Sequence, residues 1–148
     1  MLSENVDQIG HKCYHISMDD LTFTKEEQVR LTKHAISGVI LFGSQAQGIA
    51  NATSDYDVFI LGKKSENNYD LLYTLLSEKI HKLTDIDIVF DTDAPMELKN
   101  HVAKYGLILF EQNHNVFPNF RQQVMLTYAD FAPYRKMFQE ATLSRIAP

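Results

Sequence analysis

Two short apolar runs, Val39–Phe42 and Tyr56–Leu61, are joined by Gly43 to Asp55 alone. Within that join, Gly43-Ser44-Gln45-Ala46-Gln47-Gly48 has room for a tight turn and one helical turn, while Ile49–Ser54 is small and polar, a loop. Both apolar runs read as strands, the second rich in β-formers and ended by Gly62. Such a connection cannot hold the full right-handed crossover helix that joins parallel neighbours. The sheet built on these strands must therefore be mixed and not doubly wound.

The flanking segments supply helices. Thr24–His34 reads as helical, with Thr24 as N-cap and Glu27 three positions on, the pattern of a capping box. Val29, Leu31 and Ile36 give that helix some apolar surface, and Gly38 ends it. Leu72, Leu75, Leu76, Ile80 and Leu83 recur at helical spacing over 69–83. Ile86–Phe90 is a third strand. Asp93 and Pro95 look like the N-cap and first-turn proline of a helix over 96–105, with Gly106 at its stop. Leu107–Phe110 is a fourth strand, and 120–145 is mostly helical with a break at Pro133. The fold class is α/β (α+β), a small mixed sheet flanked by helices, over 21–116. An irregular arm over 1–20 precedes it, and a helical extension over 117–148 packs on the same domain.

Bulk properties narrow the function. A chain of 148 residues favours one core, and a net charge of −5 argues against a dedicated nucleic-acid binder. With Cys13 the only cysteine, no internal disulfide forms. No apolar run is long enough to span a bilayer, and the start lacks a signal-peptide pattern, so a cytoplasmic protein is expected.

Chemistry concentrates between Gly43 and Asp87. Asp55 and Asp57 stand at i, i+2 where a strand begins, so both side chains project from one face. Carboxylates that close repel unless a cation or a shared proton compensates, and hard oxygen ligands suit magnesium or manganese. Asp87 adds a third carboxylate from a strand that could lie alongside; Asp85 shares its face, with Ile86, Ile88 and Phe90 on the other. Three carboxylates on neighbouring strands suit two-metal phosphoryl transfer. Gly43 lets backbone amides approach a ligand, Ser44 adds a hydroxyl, and a helical turn starting there aims free amides at phosphate.

Gly43-Ser44, ten residues, then Asp55-x-Asp57 resembles the signature of the polymerase-beta-type nucleotidyltransferase superfamily. The fuller Gly-Ser-x-Ala-x-Gly, with Ser54 before the first aspartate, is similar to its minimal nucleotidyltransferase branch, which includes MntA-like antitoxins. The resemblance covers roughly 21–111, including Asp87 in Ile86-Asp87-Ile88-Val89. It implies Mg2+-dependent transfer of AMP from ATP to a hydroxyl, with release of pyrophosphate. Gly43, Ser44, Gln47 and Ser54 would face the nucleotide, and Asp55, Asp57 and Asp87 would hold two ions, Mg2+ or Mn2+. Asp87 would also serve as base for the acceptor. In the branch, the acceptor is a tyrosine of a helical HEPN-type ribonuclease toxin. One departure stands out: Gln47 occupies a position that is usually arginine, so charge toward the triphosphate is missing there.

Two other functions compete with protein modification. One is a transferase acting on a small-molecule alcohol, whose pocket a homo-oligomer could form between subunits. The other is a non-catalytic antitoxin-like binding module, an idea that Gln47 sustains. His11, Cys13 and His15 fit no standard zinc spacing, and the scattered His34, His81, His101 and His114 are expected to have surface or packing roles. Tyr128, Phe131, Tyr134 and Phe138 form a rough helical stripe whose expected role is core packing, with a partner or dimer surface as the minority reading.

Overall fold

Two four-residue strands, β1 (Ser3–Val6) and β2 (Lys12–His15), form an antiparallel hairpin with Ser3 opposite His15 and Val6 opposite Lys12. Sequence analysis expects an irregular arm here; strands this short and polar lack the alternation that betrays a hairpin. The computed structural model describes residues 3–6, 12–15, 18–49, 55–80 and 85–146. The expected placements of His11, Ser54, His81 and Leu83 lie outside these residues.

Helix α1 (Lys25–Lys33) starts as its sequence predicts. The Glu27 amide donates to Thr24 Oγ1 at 3.2 Å, and the Thr24 amide donates to Glu27 Oε2 at 2.8 Å. Glu27 also pairs with Lys79 Nζ at 2.8 Å, tying α1 to the end of α3 (Glu66–Lys79). Burial opposes ionisation of Glu27, but Lys79 and the Thr24 amide prevail and hold its pKa below the ordinary value. A depressed carboxylate stabilises the fold above its unfolded pKa and loses that contribution as pH falls through its folded pKa. Lys79→Met is therefore expected to cost stability at neutral pH, by up to about 1 kcal/mol. The deficit should shrink as pH falls through the folded pKa of Glu27 and vanish once the group is protonated in both states. Urea melts of both proteins at pH 7 and pH 3 check this, and an equal deficit at both pH values would remove the ion pair as its cause.

Strand β3 (Ile36–Phe42) begins earlier than expected and runs through Gly38. Ile36 belongs to this strand and not to α1. Gly38 stands where a Cβ would press on Leu61 Cδ1 at 3.1 Å, so it allows close strand packing and does not interrupt the element. The short helix α2 (Gly43–Gln47) and the loop after it lead into β4 (Tyr56–Gly62). Helix α3 starts at its N-cap Ser65, ahead of the expected residue 69. Then come β5 (Ile86–Phe90), a 3-10 turn at Asp91–Asp93, α4 (Met96–Tyr105) and β6 (Leu107–Glu111). Asp93 is not the cap of α4; it is drawn into the 3-10 turn, and Pro95 takes the N-cap position.

The sheet order is β5-β4-β3-β6, with β4–β5 parallel and both other pairs antiparallel. It is mixed, as the short join between β3 and β4 requires, and α3 serves as the crossover between the parallel strands. Alternation divides the side chains between two cores. Val39, Leu41, Val58, Ile60, Ile86 and Phe90 pack with α1 and α3. Ile40, Phe42, Phe59 and Leu61 pack with α4 and α5 (Val116–Asp130) on the other face.

The C-terminal region departs from expectation. It divides at Phe131, and Pro133 falls in the first turn of α6 (Ala132–Ile146), where its missing N–H costs nothing. Phe117, Phe120 and Val124 of α5 are buried against the sheet. Helix α6 buries nothing, and Phe131 at the break, Tyr134 and Phe138 are 51%, 58% and 73% exposed. These side chains do not pack in the core, because the sheet face is already filled by α4 and α5.

Candidate active site

The site gathers at the end of the sheet where β3 stops and β4 and β5 start. Register places Asp57 opposite Phe42 on β3 and opposite Asp87 on β5. Neighbouring strands lie about 4.8 Å apart, so the two aspartates stand side by side. Both belong to the set that faces α4 and α5, since Tyr56, Val58, Ile86 and Ile88 turn to the other core. Asp55, just before β4, is exposed, as is Asp87, while Asp57 is half-buried. Asp85 is exposed; its carbonyl accepts from the Tyr56 amide at 3.0 Å, which prolongs the β4–β5 pairing by one step.

Burial, the charges of Asp87 and Asp55, and a side-chain hydrogen bond with Asp87 together hold the Asp57 carboxyl above the ordinary carboxylate range. The carboxylates thus crowd one another where Asp57 is the least hydrated of the three. Among the described residues, no group of three His, Cys, Asp or Glu side chains already encloses a metal position. The donor set is nonetheless that of a hard divalent cation: carboxylate oxygens whose mutual repulsion a cation would relieve.

Gly43 completes the arrangement from the backbone. Its φ is +75°, in the left-handed region, and a Cβ there would run into Oδ2 of Asp57 and stand 3.3 Å from its Cγ. The residue that turns β3 into α2 therefore lies directly against the central carboxylate, with no side chain between them. Phe42 is the N-cap and offers no side-chain hydrogen bond to the first turn. Ser44 is half-buried beside Gly43 at the start of α2. Gly48, with φ +71°, ends the helix, and the Ser44 carbonyl accepts from the amides of Gly48 and Ile49. Gln47 is exposed at the end of α2, so the structure puts Gly43, Asp57 and Asp87 together and leaves Gln47 and Asp55 on the rim.

A glycine turn pressed against paired acids on a small mixed sheet belongs to the class of nucleotidyltransferases. The family model Polymerase beta, Nucleotidyltransferase matches residues 26–115, and the chain belongs to that family. The match takes in β3 through β6 and all three aspartates. The chain is 29% identical over 108 residues to Protein adenylyltransferase MntA of Aphanizomenon flos-aquae (strain 2012/KM1/D3), covering 66% of this chain and 72% of that protein. Its fold is similar to a toxin–antitoxin crystal structure with AMP-PNP, at TM-score 0.64 and 19% identity over 82% of this chain and 99% of that one. It is also similar to a complex of tri-AMPylated Shewanella oneidensis HEPN toxin with MNT antitoxin, at TM-score 0.56 and 16% identity over 80% and 98% of the two chains. At these identities the two structures show the shared fold. Among the described residues, no helix is long and apolar enough to cross a membrane.

Proposed function

We propose that the chain transfers AMP from ATP to a hydroxyl of a HEPN-type toxin and thereby acts as its antitoxin. The observation that carries this reading is the pairing of Asp57 with Asp87 on parallel strands, against a glycine that leaves no room for a side chain. The names of the relatives, an adenylyltransferase and an MNT antitoxin bound to an AMPylated HEPN toxin, support the donor and the acceptor.

Asp55, Asp57 and Asp87 would hold Mg2+, or Mn2+, which relieves their mutual repulsion. Two such ions, when bound, neutralise the triphosphate and the leaving pyrophosphate. Gly43 and Ser44 would present the amides of the first turn of α2 and a hydroxyl to the phosphates, with Ser54 and Gln47 flanking them. The acceptor hydroxyl gives its proton to the Asp87 carboxylate as its oxygen bonds to the α-phosphorus. The bond from that phosphorus to the bridging oxygen breaks, and pyrophosphate leaves with the electron pair.

The test is incubation of the protein with magnesium, α-labelled ATP and the product of the neighbouring gene, with intact mass read on both chains. An AMP increment on the partner, lost in Asp55→Asn, is the expected result. Pyrophosphate release with simple alcohols and no label on the protein would instead favour a small-molecule acceptor. Exposed and neutral Gln47 is the one feature that favours a binding module. Gln47→Arg is accordingly expected to tighten ATP binding by about tenfold through a charge-assisted contact. Calorimetry checks this, and an unchanged affinity would remove Gln47 from the nucleotide's surroundings. Complete silencing of the partner without any transfer would establish the module.

A further inference from the structure

Beyond the paired aspartates, the same face of the sheet holds a cavity of about 210 Å3 between the end of β5, the start of α4 and the middle of α5. Its floor is apolar. Phe120 and Val124 of α5 are buried in the core on this face, and Met96 of α4 packs against that core. Its polar groups are few: Asp91 and Lys99 meet at 3.2 Å, and Gln123 stands exposed on the rim. Apolar walls with a small number of polar groups mark a small-molecule site, and this volume suits a base with part of a sugar, not a whole nucleotide.

Position relative to the reacting centre decides the occupant. Asp87 and Val89 turn to the face covered by α4 and α5, and Asp91 follows them just past the end of β5. At 3.3 Å per residue the row from Asp87 to Asp91 is about 13 Å long, comparable with the span from an α-phosphorus to the far edge of an adenine. Across the strands, Gly43 at the end of β3, Asp57 on β4 and Asp87 on β5 stand in that order. In an in-line displacement the attacking and leaving oxygens lie on one line through the phosphorus, and the ribose oxygen lies off that line, roughly at right angles. With the leaving phosphates at Gly43 and the acceptor at Asp87, that line runs across the strands. The nucleoside then departs along them. One way runs off the end of the sheet; the other runs over Val89 to the cavity.

We propose that this cavity seats the adenosine of ATP, with the base against Phe120, Val124 and Met96, Gln123 on its N6 and N7 edge, and Asp91 on the ribose 2′-hydroxyl. A glutamine amide accepts from N6 and donates to N7 of adenine, whereas the same edge of guanine offers two acceptors that one amide cannot pair. A carboxylate is a fitting acceptor for the ribose 2′-hydroxyl, and Lys99 holds this one in place. The inference rests on the transferase reading above.

The test is calorimetric titration of the full chain with the magnesium complexes of ATP, GTP, 2′-deoxy-ATP and inorganic tripolyphosphate, repeated with Gln123→Ala and Asp91→Ala. Gln123 is exposed, so its variant should match the parent in circular dichroism. The parent is expected to favour ATP over GTP, and Gln123→Ala to lose on the order of 10-fold of that preference. The parent should also favour ATP over 2′-deoxy-ATP, and Asp91→Ala should bind the two alike. Tripolyphosphate carries no nucleoside and should bind the parent and both variants equally. A preference for adenine that survives Gln123→Ala, or for the 2′-hydroxyl that survives Asp91→Ala, would overturn the inference and leave the transferase reading intact. Equal binding of all three nucleotides by the parent would do the same. Parallel losses of ATP and tripolyphosphate in the variants would trace the effect to the phosphate grip and overturn it as well. No binding of ATP by the parent would overturn both readings.

Discussion

Asp57→Asn is expected to abolish AMP transfer while leaving the fold intact and slightly steadier. Asp57 is central in the sense that it alone is flanked by both other carboxylates and touched by Gly43. If Asp57 holds the metal as proposed, its removal forfeits several kcal/mol of charge stabilisation, on the order of 10^3-fold in kcat. The stability change has the opposite sign, and it depends on pH. Because burial and the Asp87 and Asp55 charges raise the Asp57 pKa, the folded protein binds a proton there more readily than the unfolded chain. Stability therefore rises as pH falls through the raised value and stops changing below the unfolded value, about 3.9. The amide variant escapes the penalty, so its advantage is greatest at neutral pH and shrinks as the parent takes up its proton. A gain in Tm of about 1–3 °C at pH 7.5, lost near pH 4, is the expected melting result. Added magnesium should raise the Tm of the parent more than that of the variant, because the cation relieves a repulsion the variant lacks. An equal response to magnesium in both would mean that Asp57 does not hold the ion.

Gly43→Ala is expected to lose activity and stability together, which separates it from the aspartate variant. Alanine at φ +75° costs about 1–2 kcal/mol in backbone strain. Its methyl group would also collide with Oδ2 of Asp57, so the carboxylate must move away from Asp87. A displacement of about 1 Å at a reacting centre can cost about 10^2-fold in rate. Kinetics and melting on the same preparation check both effects. A variant that melts lower yet transfers AMP at the parent rate would show that the contact with Asp57 serves packing alone. Gly48→Ala makes a useful control, since its φ is also positive but a Cβ there meets nothing within 4 Å. It should lose stability and keep its rate.

Local patterns made much of this molecule legible beforehand. The capping box at Thr24 and Glu27 involves groups three residues apart, and the hydrogen bonds fall where the pattern puts them. The mixed sheet followed from chain length alone, because the join between β3 and β4 could not hold a crossover helix. Strand β5 was readable from its alternation, with Ile86, Ile88 and Phe90 in one core and Asp87 on the other face. Errors fell where a local signal met a tertiary demand. Gly38 reads as a breaker but serves close packing against Leu61, and Asp93 reads as a cap but is taken by a 3-10 turn. The aromatic stripe from Phe131 to Phe138 has the spacing of a core helix, and periodicity cannot say whether a surface remains for it to cover.

The sequence by itself determined the residue types of the site, their order, and that Asp55 and Asp57 stand at the start of one strand and Asp87 on another, since all of these are properties of neighbours along the chain. Only the tertiary structure decided that Asp57 pairs with Asp87 in register, that Gly43 lies against the Asp57 carboxylate, and that α6 is left uncovered. Strand register and the filling of a sheet face depend on contacts between residues far apart in sequence, and no local pattern encodes them.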